Sequence, residues 1–65
     1  MSATLLDTIK NDETNMAALV WDNGRGSHNV TVKDLDSGLF LPTAFISIAS
    51  LETAVAKAKN AVGVK

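Results

Sequence analysis

The sequence predicts a small α+β domain in the order helix, strand, strand, strand, helix: an antiparallel three-stranded meander with two helices on one face. Three observations predict it. Apolar residues recur at helical spacing near both ends of the chain. The middle alternates apolar and polar, as a half-buried strand does. The links between the middle segments are short and rich in Gly, Asn and Asp. At 65 residues the chain forms one domain, residues 1–65, with a net stability of a few kcal/mol at most.

The first helix is expected to begin near Ser2 or Thr4, whose hydroxyls can accept an orphan amide of the first turn. Leu5, Leu6 and Ile9 fall on one helical face, and Asp7 sits where the helix dipole favours an anion. The polar run Asn11 to Asn15 ends it. A rival reading is a single helix over 4–21, with Met16, Leu19 and Val20 continuing the stripe.

Met16 to Trp21 is almost wholly apolar and reads as a strand. Asp22-Asn23-Gly24-Arg25-Gly26-Ser27 supplies the positive-φ positions of a reversal. From His28 to Lys33, Val30 and Val32 point to one side, and Asn29, Thr31 and Lys33 to the other. Asp34 to Gly38 is a second turn, with Gly38 suited to a left-handed position. Leu39-Phe40-Leu41 is extended, Pro42 marks an edge or a bulge, and Phe45, Ile46 and Ile48 favour strand to about Ala49. The last helix starts after Ser50, a good N-cap, with Glu52 in its first turn. Its stripe is Leu51, Ala54, Val55, Ala58, Ala61 and Val62; Lys57 and Lys59 lie toward its C-terminus, and Gly63 follows it. A start at Thr43 would extend the stripe backward, but the β-branched and aromatic residues of 45–48 oppose it.

Composition narrows the function. There is no cysteine and one histidine, so neither a disulfide framework nor a thiolate metal site is available, and no cofactor is implied. The net charge of −1 argues against nucleic acid and against an anionic membrane. Residues 1–36 carry net −3 and residues 37–65 net +2, halves that folding brings together. The longest uncharged run, Ser37 to Leu51, is 15 residues, short of the ~18–20 a spanning helix needs. The first 15 residues hold Asp7, Lys10, Asp12 and Glu13 and no signal-peptide core. A cytoplasmic protein is expected, and the Asn29-Val30-Thr31 sequon is then without consequence.

No motif carries catalysis. Ser27 and His28 are neighbours, but adjacent strand residues point to opposite faces and cannot share a proton. Asp34-x-Asp36-x-Gly38 opens like a calcium loop, yet Gly38 takes a ligand position and Phe45 stands where a bidentate carboxylate is needed. Gly24-Arg25-Gly26-Ser27 could wrap an anion with its amides, but a strand follows where a helix N-terminus would complete such a site. Asp12 and Glu13 lie in a polar loop with nothing to desolvate them. An enzyme is not expected, nor a small-molecule substrate.

The segment Met16 to Trp21 poses the sharpest question. Ala17, Leu19 and Trp21 share one side and Met16, Ala18 and Val20 the other, and both sides are apolar. Either another surface covers the second side or an apolar patch is exposed. Trp21 is then a core residue or an anchor beside Arg25 on the hairpin tip, since Trp and Arg dominate binding hot spots. The expected partner-binding residues are Leu19, Trp21, Arg25, His28, Thr31 and Lys33, and the expected partner is a protein or a second copy.

The element order and length resemble the double-stranded-RNA-binding domain. Ser50-Leu51-Glu52-Thr53-Ala54 is similar to that family's serine followed by alanines at helical spacing. The resemblance implies a nucleic-acid binder using Arg25, His28, Lys33, Lys57 and Lys59, but the family's lysine cluster is replaced by Leu51, Glu52 and Val55. The strand running into Ser50-Leu51-x-x-Ala54 also resembles very small phage-encoded proteins that inhibit host machinery. The leading expectation is a non-enzymatic protein-binding or inhibitor-like accessory protein of phage or bacterial origin. The alternatives are a nucleic-acid-binding domain and a structural subunit of a homo-oligomer, such as a virion component.

Overall fold

Four strands and one helix make up residues 3–64, which a computed structural model of the chain describes, at Thr43 by the backbone alone. Strands β1 (Thr4–Asn11), β2 (Met16–Asp22), β3 (His28–Asp34) and β4 (Phe40–Ile48) precede helix α1 (Leu51–Ala61). The strands form one antiparallel sheet in the order β1-β2-β3-β4. The short turns dictate this meander, since each link is long enough only to reach the adjacent strand.

The first element is a strand, not a helix, and this corrects the expected order. The sheet has four strands rather than three, and one helix rather than two lies on it. The rival helix over 4–21 is excluded as well, and Ser2, the alternative first cap, lies outside the described residues. The misleading signal has a local cause. Leu5 pairs with Trp21 and Asp7 with Val20, so β1 advances two residues while β2 advances one. Leu6 is the extra residue of a β-bulge. The bulge shifts the parity of the strand, so Leu5 falls on one side of the sheet and Ile9, opposite Ala18, on the other. Apolar residues at 5, 6 and 9 therefore imitate a helical stripe. The new order also removes the topological likeness to the double-stranded-RNA-binding domain, which begins with a helix.

Strand β4 merges the two extended segments seen around Pro42 and is irregular twice. Between Thr31 and Lys33 of β3, β4 advances four residues, from Phe40 to Ala44, across the segment that holds Pro42. Proline lacks the amide a ladder needs, so this segment suits the outside edge. Between His28 and Val30, β4 advances three, from Phe45 to Ile48. There Ser47 takes a φ of 59°, and its amide donates to the side-chain oxygen of Asn29 at 3.2 Å. The Asn29 carboxamide thus supplies the acceptor that the interrupted ladder does not.

The last helix begins and ends where the sequence places it. Ser50 is extended, and its hydroxyl accepts from the amide of Thr53. At the other end the amide of Val64 donates to Lys59 and that of Gly63 to Asn60, the paired bonds of a Schellman cap with Gly63 at φ 84°. Asn11 Nδ2 and Thr14 Oγ1 donate to the carbonyl of Val62 at 2.7 and 2.9 Å. The β1–β2 turn is thereby fastened to the helix C-terminus. Running from the end of β4 to that turn, α1 packs across β3, β2 and β4.

The core lies between the helix and that side of the sheet: Ala18, Val20, Val30, Val32, Ile48, Ala54, Ala58 and Val62. Ala54, Ala58 and Val62 recur every four residues and face the sheet. The two alanines let the helix sit close, so the largest fully buried side chains are valines. Of the expected stripe, Leu51 is exposed, and Val55 and Ala61 are half-buried against the core margin. The shortest dimension is 17 Å, enough for a sheet under a single helix of about 10–12 Å diameter and no third layer.

Candidate sheet-face interface

Cross-strand pairing assigns the second face of the sheet residue by residue. Lys10, Ala17 and Lys33 form one row across β1, β2 and β3, and Phe40 of β4 lies opposite Lys33. Thr8, Leu19, Thr31 and Ala44 form the next. Leu5, Trp21 and Asn29 form the third. Among the described residues no helix packs on this outer face. Leu5, Phe40 and Ile46 are 46%, 57% and 73% exposed, while Leu19 and Trp21 are half-buried among their neighbours.

Trp21 is not part of the core between helix and sheet. It lies on the uncovered face, and its indole Nε1 donates to Thr31 Oγ1 at 3.0 Å. Thr31 stands two residues beyond Asn29, the residue directly opposite, so the ring reaches diagonally across β3. One polar atom is satisfied and the ring is held in place with its remaining surface presented outward. Ala17 is only 4% exposed between Lys10 and Lys33, whose aliphatic stems are long enough to shield a small neighbour. The Lys33 ammonium lies 5.9 Å from the centre of the Phe40 ring, within range of a cation–π attraction.

The β2–β3 turn closes the face at its far end. Gly24 and Gly26 adopt φ of 78° and 81°, the region open to glycine. The amides of Gly24 and Arg25 donate to the side chains of Asp22 and Asn23, and the amide of Asn23 to the carbonyl of Ser27. Two of the amides expected to wrap an anion, those of Gly24 and Arg25, are thus engaged within the loop. Arg25, exposed, lines a shallow depression of about 410 Å³ with Ala3, Asn23, Asn29, Ile46 and Ser47.

Five of the six expected binding residues gather here: Leu19, Trp21, Thr31 and Lys33 on the face and Arg25 at its corner. His28 does not. It pairs with Asp22 and Ile48, positions of the opposite parity, and its Nδ1 bonds the carbonyl of Ile48 at 3.1 Å. A carbonyl only accepts, so Nδ1 carries the proton and ties the end of β4 to β3. Leu5, Phe40 and Ile46 belong to the face and were not expected there. The spacing of Leu5 predicts a helix, and the parity of β4 is unreadable through two bulges. Lys57 and Lys59 lie on the helix, with Lys57 5.3 Å from the Phe45 ring on the covered side of the sheet, so they share no patch with Lys33. Asp34 serves the β3–β4 turn: its carboxylate accepts from the amide of Asp36, and its carbonyl from Gly38.

No family model, curated protein or solved structure matches the chain. No helix among the described residues is long and apolar enough to cross a membrane.

Proposed function

We propose that this protein is a non-enzymatic binding module, of accessory or inhibitor type, that engages a protein partner through the outer face of its sheet and the adjoining β2–β3 turn. One observation carries the reading: Leu5, Phe40 and Ile46 are exposed on a face that no described element covers, around a tryptophan held in place by Thr31. An open apolar face that includes a fixed aromatic, with an arginine at its rim, has the composition of a protein interface. His28, the lone imidazole, holds a backbone carbonyl and, among the described residues, stands with no nucleophile in the arrangement that acyl transfer requires.

A second reading, a subunit of a homo-oligomer, draws on the edges. Pro42 and two bulges interrupt β4, whereas β1 pairs regularly from Asp7 to Asn11 and is open on its outer side. A photo-crosslinking residue at Ile46, with one at Lys59 as the control on the helix, separates the readings in the native host. The proposed function requires crosslinks to a different protein from Ile46 and not from Lys59. Adducts to a second copy would favour the oligomer, adducts to nucleic acid would favour that alternative, and equal labelling from both sites would remove the sheet face from consideration.

A further inference from the structure

The outer face carries charge of one sign. Lys10 and Lys33 belong to it by register, flanking Ala17, and Arg25 borders it at the opposite end beside Asn29 and Ile46. Among the described residues no acid has a position on it. Asp7, Asp22 and Asp34 pair with Val20, His28 and Met16, on the helix side of the sheet. Asp12, Glu13 and Asp36 lie in turns, and Glu52 is in the helix. A chain of net charge −1 thus presents a cationic rim at both ends of its open apolar face.

We infer that the occupant of this face is an acidic protein segment, apolar at its centre and carboxylate-bearing at both ends; the inference rests on the proposed binding role of the face. The charge distribution selects among occupants. A second copy stacked on the same face with its strands aligned with these or reversed would bring lysines onto lysines or lysines onto Arg25, and like charges brought together oppose docking. A nucleic acid would meet three separate cations around leucine and isoleucine. Phosphate tracking needs a denser, continuous cation groove and aromatic stacking surfaces. Carboxylates spaced around an apolar centre match both the rim and the middle.

The test is a nuclear magnetic resonance titration of the isotopically labelled full chain with three short peptides. All share one central leucine–phenylalanine stretch, and the residues at both ends are Glu, Ser or Lys; a deoxythymidine oligonucleotide is the fourth probe. The glutamate peptide is expected to shift the amides of Leu5, Leu19, Trp21 and Lys33 and to bind about tenfold more tightly than the serine peptide, from a few rim ion pairs. That advantage should disappear at high salt and in the Lys10→Gln, Lys33→Gln double variant, and persist in Lys59→Gln. Equal binding of the serine and glutamate peptides at this face would overturn the inference and leave the binding role standing. Absence of any peptide from the face would remove both. Tighter binding of the oligonucleotide, or concentration-dependent shifts of these amides in the chain alone, would replace the acidic protein by nucleic acid or by a second copy.

Discussion

The two faces of the same sheet are built from the same strands and differ in what they accomplish. On the helix side Ala18, Val20, Val30 and Val32 are 0–1% exposed, and with Ala54, Ala58 and Val62 they form a dry layer of small side chains. On the outer side the intervening residues are Ala17, Leu19, Trp21, Asn29, Thr31 and Lys33, which border exposed Leu5, Phe40 and Ile46. Strand β2 is apolar on both sides, and among the described residues only one side has a cover. A single short helix can bury one face of a four-stranded sheet, so stability is concentrated there. Among the described residues the other face has no such cover.

Charge inserted into the two faces should separate them most sharply. Ala58 is fully buried between helix and sheet, so Ala58→Asp strands an unpaired carboxylate at a cost of several kcal/mol. That exhausts the few kcal/mol a domain of this size holds, and the far-ultraviolet circular dichroism spectrum should show an unfolded chain at room temperature. Val55→Asp, at the half-buried margin of the helix, should lower the melting temperature by less. The reverse ranking would mean that the helix is rotated about its axis.

Next in size is the attachment of the helix to the β1–β2 turn. Asn11→Ala removes a donor to the Val62 carbonyl and the acceptor of the Glu13 amide, while Thr14 still holds Val62. A loss of about 1 kcal/mol is expected, read as a lower urea midpoint with unchanged slope. A neutral result would show that Thr14 alone secures the helix end.

On the outer face, Trp21→Phe keeps an aromatic ring and deletes the bond to Thr31. A destabilisation of up to about 1 kcal/mol is expected. In a Thr31→Val background the same Trp21→Phe change should cost much less, which a double-mutant cycle measures directly. The smallest change in stability belongs to Ile46→Lys. With its side chain 73% exposed, the substitution should move the melt by no more than about 0.5 kcal/mol, yet it should weaken partner binding. A large loss of stability would mean that Ile46 contributes to the fold, and would erase the contrast between the faces.

Much of this architecture is written locally in the chain. Ser50, Glu52 and Gly63 mark both ends of the helix, because capping depends on residues within one turn. The glycines at 24 and 26 and the alternation of 28–33 specify the β2–β3 hairpin, since backbone freedom and side-chain period are local properties. The apolarity of both sides of β2 raises the question of what covers its second side before any neighbour is known. Tertiary structure alone decided the state of residues 4–11. Their helical spacing is the trace of a bulge, and a bulge exists only relative to the strand it pairs with. The same dependence hid the exposed positions of β4, where two irregularities change which side each residue takes. Periodicity reports a face only while the register runs unbroken; past a bulge, the partner strand determines it.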